Sequence, residues 1–388
     1  MSNEPIIRPT RAEIDLAAIA ANVQLAAKLV GAAQVMAVVK ADAYGHGAVP
    51  VAKAALSAGA TWLGVAIPEE GVILREAGFT GPILVLGPCP SDQTDLPAAY
   101  GLEQCVSDAS QIEPLSAAGR ARAKTVAAHL KIDTGMGRVG VPPPEAALIA
   151  EKIGHTPSLR LSGIMTHLTE AEAVDTAFTV EQLTRFEVAT KAVREASGTR
   201  PLRHAANSAG LLYHPAAHLD LVRPGIMLYG CSPRGSQEQR FQLRPALRFR
   251  TAVSQVKTVP AGTPLSYGRT YVTTRRTVVA TLPVGYADGV WRSLSNIGEV
   301  LIQGRRAPIL GRVCMDMTLV DVTTLENVQP GDEAVLIGRQ GDAEITADEI
   351  AAQLGTISYE VLCRIGPRVP RIYHQHGGAR ELCGGKLP

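Results

Sequence analysis

Short, continuously apolar runs alternate with Ala-rich amphipathic stretches through the first 223 residues of the chain. The runs lie at 35–40, 62–67, 83–87, 102–106, 126–132, 159–167, 202–207 and 219–223. Apolar runs of this length without polar alternation read as strands buried on both faces. Between them, 48–58, 69–77, 108–118, 143–152 and 180–196 read as helices, several with Pro, Ser or Asp near the amino terminus. Eight strand–helix units predict a (β/α)8 barrel of the α/β class, with an open doubly wound sheet as the second choice.

The texture changes near Phe241-Gln242-Leu243-Arg244-Pro245. Beyond it, β-branched and Arg-rich runs at 247–259, 276–282, 299–302, 306–313, 319–322 and 333–337 are separated by Gly, Pro and Asp. These turn signals predict a mostly-β second domain with one helix near 347–354. The expected division is therefore 1–244 and 245–388. Within the first part, Arg11 to Leu16 is strand-like and is a candidate to pair with the β domain.

Polar residues gather where the barrel strands end. Lys40 closes the first strand, Lys131 and Asp133 the fifth, His167 the sixth, Asn207 and Ser208 the seventh, and Arg223 the eighth. Barrel enzymes place their chemistry on that carboxyl-terminal rim. A lysine emerging there from an apolar strand is partly desolvated, which disfavours its ammonium and frees the amine for Schiff-base chemistry. Arg223-Pro224-Gly225-Ile226 follows the eighth strand, where backbone amides commonly bind phosphate and glycine permits close approach. An amine and an anion cradle on one rim suit a phosphorylated aldehyde cofactor.

Composition narrows the rest. The chain has 388 residues and a net charge of +2, from 38 Lys and Arg against 36 acidic residues. That balance predicts no broad attraction to nucleic acid or anionic membrane, so any anion must be held locally. The start, Met1 to Arg11, carries charges and prolines in place of an apolar signal core, and no run approaches a membrane span, so a cytoplasmic protein is expected. Six scattered cysteines read as reduced thiols. His214-x-x-x-His218 and His374-x-His376 lack the partners of a metal site, and no metal is expected. Gly135-Met136-Gly137-Arg138-Val139-Gly140 has dinucleotide-fingerprint spacing but follows a fifth strand and precedes three prolines, which argues against that role.

The motifs then carry a family resemblance over almost the whole chain. Ala37-Val38-Val39-Lys40-Ala41-Asp42-Ala43-Tyr44-Gly45-His46-Gly47, Lys131 to Arg138, Ala206-Asn207-Ser208 and Arg223-Pro224-Gly225-Ile226 belong to the barrel part. Leu265-Ser266-Tyr267-Gly268, Gly285 to Gly289, Gly311 to Asp316 and Ser358 to Leu362 belong to the β part. In this order they resemble the bacterial alanine racemases, pyridoxal-phosphate enzymes with a barrel and a β domain. The resemblance implies that Lys40 carries pyridoxal 5'-phosphate, with Tyr44, Ser208, Gly225, Ile226 and Tyr359 around its phosphate and Arg223 facing its pyridine nitrogen. It implies two opposed bases, Lys40 and Tyr267, with His167 and Arg223 supporting Tyr267. Arg138 and Met315 would hold the substrate carboxylate and Tyr286 would narrow the entrance. Lys131 is carbamylated in some relatives, and the same is expected here. The β domain of such enzymes closes the barrel of a second subunit, so a head-to-tail homodimer with shared sites is expected, making D-alanine for peptidoglycan.

Other readings make different demands. A racemase of broader specificity, taking serine as well, would share these motifs. A decarboxylase of the same architecture would place an acid near the ring nitrogen, where this chain has Arg223. A non-catalytic cofactor carrier would keep Lys40 but have no use for Tyr267.

Overall fold

The computed structural model describes residues 8–235, 240–375 and 380–383. It opens with strand β1 (Arg11–Asp15), which runs straight into helix α1 (Leu16–Val30). Asp15 makes that junction, its Oδ1 accepting from the N–H groups of Ala17 and Ala18 at 2.8 and 3.0 Å. Such a cap satisfies donors that the first helical turn leaves unpaired.

The eight apolar runs form eight parallel strands: β2 (Gln34–Val38), β3 (Trp62–Val65), β4 (Ile83–Val85), β5 (Glu103–Val106), β6 (Val126–Lys131), β7 (Leu159–Met165), β8 (Leu202–His204) and β9 (Leu221–Val222). Each pairs with its successor from β2 to β8, and β9 returns to pair with β2. Asp220 N–H to Arg203 C=O at 3.1 Å and Arg223 N–H to Ala206 C=O at 2.9 Å close the ring between β8 and β9. The result is a (β/α)8 barrel. Most strands stop short of the sequence expectation at their carboxyl ends, because the last polar residues turn out into the rim. Helices occupy 48–57, 68–76, 112–121, 146–155 and 177–197, near their expected places. Helices Asp95–Tyr100 and Ser208–Tyr213 were not expected, being too short to show a helical period.

The amino-terminal strand belongs to the other sheet. There β1 lies between β10 (Leu247–Ala252), antiparallel, and Arg371–His374, parallel. Residues 1–7 lie outside the described ones. A separate three-stranded sheet joins 255–259, 277–282 and 318–321. The expected single run 247–259 is thus two strands in two sheets. The switch occurs between neighbours: Val253 N–H bonds to Asp332 C=O and Ser254 N–H to Thr281 C=O, each at 2.8 Å. The expected run 306–313 is likewise strand only over Arg305–Pro308. Leu310 N–H turns to Leu319 C=O at 2.8 Å, carrying the chain to the second sheet. The helix Ala347–Leu354 is where the pattern placed it, capped by Thr346, and a further helix follows at Ser358–Cys363.

That last helix fastens the β part to the barrel mouth. A Cβ on Gly45 would stand 2.6 Å from Leu362 C=O, so the two backbones touch only because Gly45 has no side chain. Arg371 Nε donates to Gly45 C=O at 3.1 Å, and the rings of Tyr44 and Tyr359 lie 6.0 Å apart.

Candidate active site

Lys40 opens a turn that the sequence does not announce. Ala41, Asp42, Ala43 and Tyr44 have φ of 52, 51, 53 and 54°, a full left-handed turn built without glycine. Left-handed helical geometry costs roughly 1–2 kcal/mol per residue for side chains of this hand. Local hydrogen bonds hold it. Glu70 accepts from Ala41 N–H at 2.6 Å through one carboxylate oxygen and from Ala66 N–H at 2.7 Å through the other. Asp42 Oδ1 accepts from Ala48 N–H at 2.7 Å, and Gly47 N–H donates to Asp42 C=O at 2.8 Å. The turn throws the Lys40 side chain over the barrel mouth.

A cavity of about 560 Å³ lies there, lined by Lys40, Tyr44, Lys131, Arg138, His167, Ser208, Arg223, Gly225, Ile226 and Tyr359 among others. Most of the rim residues anticipated from the strand ends meet in this one space. Asp133 does not line it; its Oδ1 folds back onto the N–H groups of Gly135 and Gly137 at 2.9 and 3.1 Å, shaping the loop that presents Arg138. The glycine fingerprint is thus a rim loop, followed by a short 3-10 turn at Pro143–Glu145.

The cavity is cationic. Burial lowers the pKa of the Lys40 amine from its ordinary value, and the nearby Arg138 lowers it further, while Glu70 opposes the shift. Burial also lowers Lys131, with Arg223 and Arg138 adding to the effect. His167 is pushed well below its usual range by burial and then by Arg223, Lys131, Arg138 and Lys40, so its imidazole is neutral. Arg223 is buried and lowered to about 10, yet still protonated near neutrality. Its Nη2 donates to Thr166 C=O at 2.7 Å and Ala205 C=O at 3.0 Å, and lies 3.5 Å from His167 Nδ1.

One wall is built for an anion. Ser208 Oγ accepts from the N–H groups of Gly225 and Met227 at 2.9 and 3.3 Å. A Cβ on Gly225 would stand 2.5 Å from Tyr44 Oη, so glycine alone leaves this cradle open. Tyr44 is itself held by Tyr229, ring centroids 4.7 Å apart. Burial raises the phenols of Tyr44 and Tyr359 above their ordinary pKa, keeping both as donors.

Three anticipated residues are elsewhere. Tyr267, Tyr286 and Met315 do not line the cavity of their own chain. Tyr267 is 70% exposed and Met315 52%. Their loops are tied together: Tyr286 N–H bonds to Cys314 C=O and Ala287 N–H to Met315 C=O, both at 3.0 Å, and Ser266 Oγ donates to Arg312 C=O at 2.5 Å. Sequence reasoning missed Glu70, whose place in the first turn of its helix reads as ordinary dipole compensation. It also missed Cys363, which lines the cavity.

The histidine pairs have other partners. His214 Nε2 lies 3.0 Å from Ala171 C=O and His218 Nε2 2.8 Å from Leu211 C=O; His376 lies outside the described residues. No cluster of metal-ligating side chains occurs among the described residues. Cys89, Cys105, Cys231, Cys314 and Cys363 are free thiols, and the Cys383 side chain lies outside the described ones. No described helix is long and apolar enough to cross a membrane.

Known proteins resemble the chain throughout. Residues 14–233 match the family model for the alanine racemase N-terminal domain, and 246–373 that for the C-terminal domain. An alanine racemase of Symbiobacterium thermophilum is 48% identical over 95% of this chain and 97% of its own length. The structure of alanine racemase from Bacillus anthracis with bound L-Ala-P superposes with a TM-score of 0.91 at 38% identity, covering 98% of this chain and 99% of that one. That of alanine racemase from Bartonella henselae with covalently bound pyridoxal phosphate gives 0.86 at 31%, covering 94% and 99%.

Proposed function

The chain belongs to the alanine racemase family, interconverting L- and D-alanine with pyridoxal phosphate, and we propose that Lys40 and Tyr267 of the partner subunit are its two opposed bases. The cavity fits the cofactor. It offers a weakly basic amine, a Gly225 cradle that a Cβ would fill, phenol and hydroxyl donors, and a surplus of buried cations. Lys40 would bind its carbonyl carbon; Tyr44, Ser208, Gly225, Ile226 and Tyr359 its phosphate; and Arg223 its ring nitrogen. When bound, pyridoxal phosphate would supply the electron withdrawal that acidifies the substrate Cα–H.

The protein's own groups do the rest. Racemisation needs a proton removed from one face of Cα and another delivered to the opposite face. Lys40, whose ammonium is disfavoured by burial and by Arg138, serves one face. Tyr267 serves the other, and a phenol, being a weak acid, needs help from neighbouring donors or cations to act there. His167 is neutral, and its Nδ1 faces the Arg223 guanidinium, which leaves Nε2–H to donate to the Tyr267 oxygen. Arg223 keeps its proton and so hydrogen-bonds without acting as an acid, which moderates electron withdrawal and favours return of a proton to Cα over side reactions. Arg138, with no carboxylate partner among the described residues, takes the substrate carboxylate together with the Met315 backbone amide, and Tyr286 narrows the entrance. Lys131, buried and weakly basic, adds to CO2 through its amine nitrogen, releasing a proton and giving a carbamate that orients Arg138.

The observation that carries the shared site is the pair of exposed residues Tyr267 and Met315 with half-buried Tyr286, on loops tied to one another, none of which lines the cavity of its own chain. Exposed Ile297 and Met317 add apolar surface to the same domain. A head-to-tail homodimer covers this surface and completes each cavity. The enzyme works in the cytoplasm, supplying D-alanine for peptidoglycan. Tyr267→Phe tests the assignment: turnover in both directions falls by about 10²–10⁴-fold while the bound cofactor keeps its absorbance. Undiminished racemisation by that variant contradicts it.

A further inference from the structure

The barrel interior holds a line of polar groups that the two-base reading does not use. Arg223 Nη1 lies 3.0 Å from His204 Nδ1, His204 Nε2 lies 2.8 Å from His129 Nδ1, and His129 Nε2 lies 2.9 Å from Glu103 Oε2. Both imidazoles are completely buried, inside walls that include Trp62, Met36, Leu84 and Met165. Trp62 meets the His129 ring edge-on at 5.6 Å. Gly163 makes the room: a Cβ there would stand 2.2 Å from His129 Nδ1. Glu103 begins β5, at the end of the barrel away from the catalytic rim, and its side chain is 16% exposed.

Both ends of this line are chemically fixed. An arginine only donates, and an ionised carboxylate only accepts. His204 must therefore accept at Nδ1 and carry its proton on Nε2, and His129 must do the same, donating from Nε2 to Glu103. One arrangement satisfies all three links, and both rings are then neutral. Burial and the adjoining Arg223 lower His204 well below its ordinary range, in agreement. No atom of the line is among the buried polar atoms left without a partner. Arg223, buried, makes no ion pair with a carboxylate among the described residues; the charge that answers it is Glu103, three hydrogen bonds away. Aligned bonds in an apolar interior polarise one another.

We propose that Glu103 is a remote positioning residue: acting through His129 and His204, its carboxylate fixes an acceptor at His204 Nδ1 and thereby orients and compensates the Arg223 guanidinium. The consequence for catalysis rests on the reading that Arg223 faces the cofactor's ring nitrogen; the hydrogen-bond polarity does not.

The test uses the holoenzyme labelled with 15N at histidine. In the wild type, His129 and His204 both report a neutral ring protonated at Nε2. Glu103→Leu removes the acceptor, and the His129 and His204 signals move away from that form. Glu103→Gln keeps an acceptor without the charge, and the His129 ring N–H resonance moves upfield as a charge-assisted bond becomes neutral. If Glu103→Leu does not fold, Glu103→Gln decides by itself. With either variant, kcat falls on the order of 10-fold in both directions while KM for alanine stays within about twofold. Histidine signals in Glu103→Gln that superimpose on the wild type overturn the proposal. If the signals move but kcat does not, the line exists and Arg223's place at the ring nitrogen is what falls.

Discussion

Removing the Glu70 carboxylate tests how the reactive lysine is held. The left-handed turn from Ala41 to Tyr44 costs roughly 4–8 kcal/mol at 1–2 kcal/mol per residue. Glu70 contributes one charged hydrogen bond to its base, from Ala41 N–H at 2.6 Å, while a second from Ala66 N–H at 2.7 Å holds the carboxylate in place. Bonds to charged groups are worth about 1.5–3 kcal/mol each, and the exposure of the Ala41 bond places it at the low end. Glu70→Ala therefore loses about 1.5 kcal/mol from the turn, enough to open it on the order of 10-fold more often. Hydrogen–deuterium exchange of a peptide covering 39–47 reads this directly, with peptides from the β5–β7 strands as internal controls. The predicted result is faster exchange confined to the turn and a lower kcat. Unchanged exchange over 39–47 in a folded Glu70→Ala protein would refute the reasoning, because the strain would then be balanced elsewhere.

Other perturbations follow from the same geometry. Gly225→Ala places a methyl 2.5 Å from Tyr44 Oη, and Tyr44 is packed on Tyr229, so pyridoxal-phosphate affinity measured by equilibrium dialysis falls at least tenfold; an unchanged Kd would remove the cradle from the account. Arg138→Met removes a cation that lowers the Lys40 pKa. The Lys40 pKa then rises toward its ordinary value, less amine is free at neutral pH, and the midpoint of the pH–rate profile for cofactor capture by apoenzyme shifts upward. A downward shift would reverse the assigned sign.

The barrel was legible because buried parallel strands are continuously apolar and their polar ends mark one rim. Those polar ends place Lys40, Lys131, His167, Ser208 and Arg223 on one rim from the sequence alone. The left-handed turn was not legible, since Ala-Asp-Ala-Tyr carries no glycine and its support comes from Glu70, 29 residues from Ala41. The split of 247–259 was invisible for a related reason: Val253 and Ser254 are ordinary strand residues, and only their partners at Asp332 and Thr281 send the chain to different sheets. His129 and His204 each sit inside an apolar strand run, 75 residues apart, and their line to Glu103 exists only once the barrel closes. Tyr267, Tyr286 and Met315 came from motif resemblance alone; within one chain, no physical feature of the cavity points to them.

The central claim, two bases drawn from two subunits, is tested most directly by hybrid dimers. Lys40→Ala and Tyr267→Phe proteins are each nearly inactive, but a mixed dimer has one cavity holding both an intact Lys40 and an intact Tyr267. After complete random exchange of equal amounts, half the dimers are mixed and half their cavities are intact, so about one quarter of the wild-type racemisation rate returns. No recovery, with subunit exchange verified by native mass spectrometry, would contradict the shared site.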